Sequence, residues 1–247
     1  MVQPLSSLAC FNHIKTIEPI VAGLSSQCYQ VNADNKCFFA KQATTREISV
    51  SLQAASKNIS PTVIFHDQHW LITQYIDSEN LALSQQTIDK KILIALKLMV
   101  QCHQIIEKPA QLEPKHIAHT LIKQIEFSTL QQTEFLRVAN QLTSTLKQPN
   151  NNVCCHGDLN LSNILITQTK NAYLVDFECA LAAPAEYDLA MFIAVNNIEK
   201  NQIETIIECY KKHSTIVVNS SLINRYLQFC YLINGLWYMH AYNKTNL

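Results

Sequence analysis

The sequence predicts an α+β fold in two lobes: a small antiparallel β-rich lobe with one helix, then a larger, mainly helical lobe. Three observations lead there. Before Tyr75, short apolar runs alternate with polar residues and are separated by turn signals, as strands and hairpins require. From Thr87 onward, apolar residues recur at spacings of three and four, the repeat of buried helices. Inside the helical region, a strand–turn–strand unit around Asn171 ends on an acid, Asp176. The expected division is residues 1–76 and 77–247, with Asp77-Ser78-Glu79-Asn80 as the linker.

A chain of 247 residues, 48% hydrophobic and with only three glycines, has enough apolar surface for one large or two small cores. Nineteen Lys plus Arg balance nineteen Asp plus Glu, so no global basic field exists for nucleic acid or an anionic membrane. Nine cysteines form no C-x-x-C pair and are odd in number, which reads as free thiols in a reducing cytoplasm. The N-terminus lacks a signal-peptide pattern, and no run approaches the ~18 apolar residues of a membrane helix. A cytoplasmic protein without nucleic-acid or membrane partners is expected.

In chain order, Ile14 to Val21 is apolar enough for a strand, and Gly23-Leu24-Ser25-Ser26 breaks it. Gln27 to Val31 and Lys36 to Gln42 read as strands around the turn Asn32-Ala33-Asp34-Asn35. On the second of these, Cys37, Phe39 and Lys41 share one face, and Phe38 and Ala40 the other. Thr44 to Ser56 reads as a helix with Thr44 or Thr45 as N-cap and Glu47 in its first turn; Ile48, Leu52 and Ala55 form its apolar face. Thr62 to Phe65 and Trp70 to Tyr75 are two further strands. His66 and His69 flank the turn between them without a third ligand, and read as solvated turn residues.

The next helix carries Ile92, Leu96, Met99, His103 and Ile106 on one stripe, so His103 reads as a hydrogen-bonded core residue. Ile117 to Phe127 and Gln131 to Leu146 are further helices, set off by Pro109 and Pro114. After Glu178, Ala180 to Pro184 reads as a short loop and Ala185 to Val195 as an amphipathic helix. Ile203 to His213 and Leu222 to His240 are the last helices, rich in Tyr, Phe and Trp.

The chemistry concentrates in Cys155 to Glu178, CHGDLNLSNILITQTKNAYLVDFE. Asp158 stands five residues before Asn163, and Asp176 thirteen after it. A hairpin folds Asp176 back toward the loop, so that three groups able to handle a metal or a proton meet, as magnesium-dependent phosphoryl transfer requires. HGDLNLSNIL followed by LVDFE resembles the aminoglycoside phosphotransferase and choline kinase superfamily, which includes bacterial thiamine kinases. The resemblance runs from about Val21 to about Ile193. Asn160 and Leu161 depart from the His and Pro that the family often has there. Glu178 stands where protein kinases have Gly.

The resemblance implies a protein-kinase-like fold and an ATP- and magnesium-dependent kinase acting on the hydroxyl of a small molecule. Asp158 would take the hydroxyl proton, and Asn163 and Asp176 would hold magnesium. Lys41, held by Glu47, would reach the α- and β-phosphates. The loop with Gly23, Ser25 and Ser26 would fold over the phosphates, although one glycine alone marks only an ordinary hairpin. Gln74 and Ile76 would offer backbone groups to the adenine. Asp188 is either the family's brace for the catalytic loop or a helix N-terminal charge.

The short loop after Glu178 leaves no activation segment, which argues against a protein substrate. Thiamine and choline both carry a permanent cation near a primary hydroxyl. That makes Glu178, Trp237 and Tyr238 candidates for holding a cationic alcohol, with core packing the other reading of the two aromatics. An aminoglycoside or sugar kinase, or a catalytically silent nucleotide-binding module, are the alternatives on the same fold. Intact Lys41, Asp158, Asn163 and Asp176 speak against the silent module.

Overall fold

The alternating runs before Tyr75 form strands, and the three-and-four spacings after Thr87 form helices. The computed structural model describes residues 3–20, 27–106, 109–146 and 151–245. In order, the strands and helices of the first part are β1 Ile14–Ile20, β2 Cys28–Ala33, β3 Lys36–Gln42, α1 Thr45–Ser56, β4 Val63–His66, β5 Trp70–Gln74 and β6 Ser78–Asn80. They are followed by α2 Ile88–Cys102, α3 Pro114–Gln124, α4 Thr129–Ser144, β7 Val153–Cys155, β8 Ile164–Thr167, β9 Ala172–Leu174 and β10 Leu181–Ala183. The last helices are α5 Ala185–Val195, α6 Ile203–His213 and α7 Ser220–Thr245.

The chain forms two compact units, Met1–Lys91 with Leu161–Ala180, and Ile92–Asn160 with Leu181–Leu247. This grouping cuts across a division at residues 76 and 77. The reason is pairing: Ser78–Asn80, read from sequence as a linker, is a strand antiparallel to β8. The hairpin that ends on Asp176 therefore groups with the N-terminal sheet.

In the first unit, β1 to β5 make an antiparallel sheet in the order β1-β2-β3-β5-β4. β2 and β3 are joined by two residues, Asp34 and Asn35, both at positive φ (51° and 57°), as the tightest hairpins demand. The Asp34 carboxylate accepts the N–H groups of Asn12 and His13, tying down the N-terminal segment. Leu5, Leu8 and Phe11 of that segment pack with Val31, Phe38, Ala40, Trp70 and Ile72 into an apolar core. Phe38 and Ala40 thus face the core, leaving Phe39 and Lys41 for the other side.

Helix α1 starts on Thr44, whose side chain accepts the Glu47 N–H at 3.2 Å, a cap worth about 1 kcal/mol. Its buried face differs from the expected Ile48, Leu52 and Ala55. Glu47, Ser51 and Ala54 go in with Ile48 and Val50, and Leu52 is exposed. The helix is turned so that Glu47 meets Lys41. β6, β8 and β9 form a second antiparallel sheet, with Ile164 opposite Leu174.

In the second unit, the loop expected at Ala180 to Pro184 contains β10, which pairs antiparallel with β7. Pro114, expected as an interruption, is the first residue of α3, where its missing N–H costs nothing. Helix α4 opens on a capping box, Ser128 with Gln131. Helix α5 is not amphipathic: Ala185 through Ala194 are all buried, and neighbouring elements surround it. Among the described residues, no helix is long and apolar enough to cross a membrane.

Candidate active site

An interior lysine needs a counter-charge, and Lys41 on β3 has three. It is 5% exposed. Its Nζ donates to Glu47 Oε1 at 2.8 Å, to Asp176 Oδ1 at 2.5 Å and to Glu178 Oε2 at 3.3 Å. Burial by itself would lower the lysine pKa, but the charges of Asp176 and Glu47 carry it above the ordinary 10.5. Glu47 is 2% exposed, and its pKa also lies above the ordinary 4.5. Burial raises it, and Asp176 and Glu178 raise it further against the pull of Lys41. Three carboxylates thus surround one ammonium, so that acids outnumber the base in the cluster.

The β8–β9 hairpin delivers Asp176 to this point. Its register places Val175 against Asn163, and the Val175 N–H donates to the Asn163 carbonyl at 3.0 Å. Asp176 then turns away at φ 68°, a left-handed conformation that Asp tolerates better than most residues. A cavity of about 560 Å³ opens here, within the range of small-molecule sites. Lys41, Gln74, Ile76, Asn163 and Asp176 line it together, with apolar walls from Ile20, Cys28 and Phe39 of the sheet and Leu165 and Val175 of the hairpin. The available donors are carboxylate and amide oxygens, the set that suits a hard cation such as magnesium.

Asp158 lies in the second unit, in a loop held along its backbone. The Asp188 carboxylate, 0% exposed, accepts the His156 N–H at 3.0 Å and the Gly157 N–H at 2.9 Å. Gly157 is at φ 78°, where a side chain would be strained. The Asp158 N–H donates to His156 Nδ1 at 3.3 Å. Asn196, the C-cap of α5, donates from Nδ2 to the Leu159 carbonyl at 2.9 Å. Helix α5 thus grips the loop from both of its ends, while the Asp158 side chain stays partly exposed. Of the two readings of Asp188, the brace is the one observed.

The remaining expectations divide. Gly23, Ser25 and Ser26 lie outside the described residues. Glu178, read from sequence as a substrate contact, sits beside Lys41 and Asp176. Trp237 and Tyr238 are 43% and 56% exposed and touch edge to face at 5.4 Å. Adjacent helical residues point about 100° apart. Trp237 continues the stripe of buried Tyr226 and Cys230, whereas Tyr238 shares a different, exposed stripe with Tyr231 and Tyr242. His66, the last residue of β4, and His69 are both exposed and flank the turn, as expected, and His103 is buried and hydrogen-bonded. Sequence reasoning gave His156 no role; the H-G-D spacing beside a positive-φ glycine was the available signal. Tyr210, which bonds to His103, carries no signal beyond its helical stripe.

Fold and geometry together define a class, the kinase-like phosphotransferases. Residues 16–212 match the family described as the phosphotransferase enzyme family, and the chain belongs to it. Among solved structures, it is similar to choline kinase LicA from Streptococcus pneumoniae, with a TM-score of 0.72 at 16% identity, over 94% of this chain and 87% of that one. A choline/ethanolamine kinase family protein from Mesorhizobium loti gives 0.68 at 19% identity, over 94% and 82%. Aminoglycoside phosphotransferase APH(3'')-Id from Streptomyces rimosus gives 0.62 at 15%, over 88% and 92%. At such identities the likeness shows the fold. No curated protein sequence matches the chain.

Proposed function

We propose that this phosphotransferase moves the γ-phosphate of ATP to the hydroxyl of a small cationic alcohol of the choline or thiamine kind. The observation that carries this reading is the Lys41–Glu47–Asp176 cluster bordering the cavity. Lys41 Nζ, held by Glu47, donates to phosphate oxygens. Ile76 and Gln74 present backbone groups to the base edge, between the apolar walls of the cavity. Asn163 and Asp176 hold magnesium, and the position of Glu178 beside Lys41 supports adding it to that side rather than to the alcohol's. Bound there, the ion offsets phosphate charge. Asp158 accepts the hydrogen bond of the acceptor hydroxyl. As the new O–P bond forms and the bond to ADP breaks, the hydroxyl proton passes to the Asp158 carboxylate.

Nucleotide use is supported by relatives of the fold: LicA is solved with AMP, and a spectinomycin phosphotransferase with ADP and spectinomycin. For the alcohol, the support is Trp237, an aromatic on the core stripe of α7 that stays exposed. Its face suits a cation. The test is ADP release over a panel of choline, ethanolamine, thiamine, spectinomycin and a neutral sugar, with Asp158→Asn beside the wild type. Turnover on a cationic alcohol, lost by about two to four orders of magnitude in the variant, is expected. A preference for the neutral sugar removes the cationic reading, and equal turnover by Asp158→Asn removes Asp158.

A further inference from the structure

The brace beneath the catalytic loop does not end at Asp188. His103 Nε2 lies 3.0 Å from Asp188 Oδ2, and His103 Nδ1 lies 2.8 Å from the Tyr210 hydroxyl. Both side chains are buried, and the two rings meet edge to face at 5.7 Å. A chain of hydrogen bonds therefore runs from α6 through His103 to Asp188, and ends on the backbone of His156 and Gly157, the two residues before Asp158.

The direction of each bond follows from chemistry. The Asp188 carboxylate can only accept, so the nitrogen facing it, His103 Nε2, carries the proton and Nδ1 is left to accept. Burial raises the Tyr210 pKa above its ordinary 10, so the phenol keeps its proton. Tyr210 then donates to Nδ1. An imidazole that accepts at Nδ1 carries its proton on Nε2, which is the nitrogen facing Asp188. Burial works against the Asp188 charge, but the hydrogen bonds from His103 and the loop hold its pKa below the ordinary 3.8. With the opposite tautomer, an imidazole lone pair would face that carboxylate, and the carboxylate would turn from the loop amides.

A metal reading of the same place fails on its own groups. His103, Cys155 and Asp188 have ligand atoms within 4.8 Å of one another. However, both imidazole nitrogens are engaged, and burial pushes the Cys155 thiol well above its ordinary range while it donates to the Ala183 and Pro184 carbonyls.

We propose that His103 and Tyr210 are positioning residues for phosphoryl transfer: Tyr210 fixes the tautomer of His103, and His103 fixes the carboxylate that sets the backbone before Asp158. This rests on the assignment of Asp158 above. Neither residue touches a reacting atom; both act through the geometry of the loop, where a misplacement of about 1 Å can cost on the order of a hundredfold in rate.

The test uses magnesium-ATP with water as acceptor, so that no alcohol need be identified, together with amide hydrogen exchange. Tyr210→Phe deletes one oxygen and keeps the ring. Its kcat should fall about tenfold with KM for ATP unchanged, and its melting temperature should drop by no more than about 4 °C. Exchange of the His156 and Gly157 amides should quicken while the α5 amides stay protected. His103→Leu should lose more, about a hundredfold. His103→Gln, which offers an N–H to Asp188 and a carbonyl to Tyr210, should recover most of that loss.

Wild-type kcat in Tyr210→Phe and in His103→Gln and His103→Leu, with Asp158→Asn inactive, overturns the positioning role and leaves the proposed function standing. If His103→Leu fails to fold, Tyr210→Phe and His103→Gln decide. Loss of protection throughout the chain in Tyr210→Phe reduces both residues to general stability and also overturns the proposal. Full hydrolysis by Asp158→Asn instead removes the reading on which it rests.

Discussion

Glu47 and Asp188 are both buried carboxylates, yet their surroundings move them in opposite directions. Glu47 is raised above 4.5 and Asp188 lowered below 3.8. Depth does not separate them, since they are 2% and 0% exposed. The count of donors does. Asp188 takes two backbone N–H groups and an imidazole N–H. Glu47 shares one ammonium with Asp176 and Glu178. A carboxylate supplied with donors is structural material, whereas a carboxylate group in surplus is a place prepared for cations. The first describes the scaffold of the loop that carries Asp158, and the second the proposed magnesium-nucleotide site.

The largest way to break this comparison is Asp188→Ala. Three buried donors lose their acceptor, at about 1–3 kcal/mol each, so urea unfolding at neutral pH should show a loss of several kcal/mol. The folded pKa is depressed, so the stability from Asp188 is present above 3.8 and disappears as pH falls through the folded value. The gap between wild type and variant should therefore close in acid. A gap independent of pH would mean that the carboxylate charge is not what holds the loop.

Glu47→Gln should behave oppositely. Its folded pKa is raised, so the stabilising contribution is present below 4.5 and is lost as pH rises through the folded value. In chelator-treated protein, the variant should gain on the wild type in melting temperature between acid and neutral pH. Its kcat/KM for ATP should nonetheless fall about tenfold, because Lys41 loses its positioning partner. A variant less stable at neutral pH and unchanged in kcat/KM would make Glu47 an ordinary buried ion-pair partner.

The smallest expected effect concerns α7. Trp237→Leu should raise KM for a cationic alcohol several-fold, in line with about 0.5–2 kcal/mol for a cation over an aromatic face, and leave KM for ATP unchanged. Tyr238→Leu should do less, because Tyr238 lies on the other stripe of the helix. A fall in melting temperature without a change in KM would return Trp237 to the core.

Much of this was readable in the residues. Lys41 was legible as the lysine in the interior of its strand, whereas Glu47, by itself an ordinary first-turn acid, was legible as its partner only through the family resemblance. Asn163 and Asp176 were legible because hairpin register converts their sequence separation into adjacency. What escaped was of two kinds. Strands β6, β7 and β10 are three residues long, too short for any period to show, and exist because each meets a distant partner. The inward face of α1, the side taken by Glu178 and the bond from Tyr210 to His103 depend on tertiary contacts that no local pattern encodes. Helix α5 misled because two acids in its first turn imitate a polar face, although both are buried with partners.

The central claim is that the surplus acids around Lys41 hold a magnesium nucleotide. It is tested most directly by calorimetric titration of ATP, with and without magnesium, into the wild type and Asp176→Asn. Magnesium should strongly tighten ATP binding to the wild type, and Asp176→Asn should lose most of that gain while still binding the base. Full retention of the magnesium gain in Asp176→Asn would contradict it.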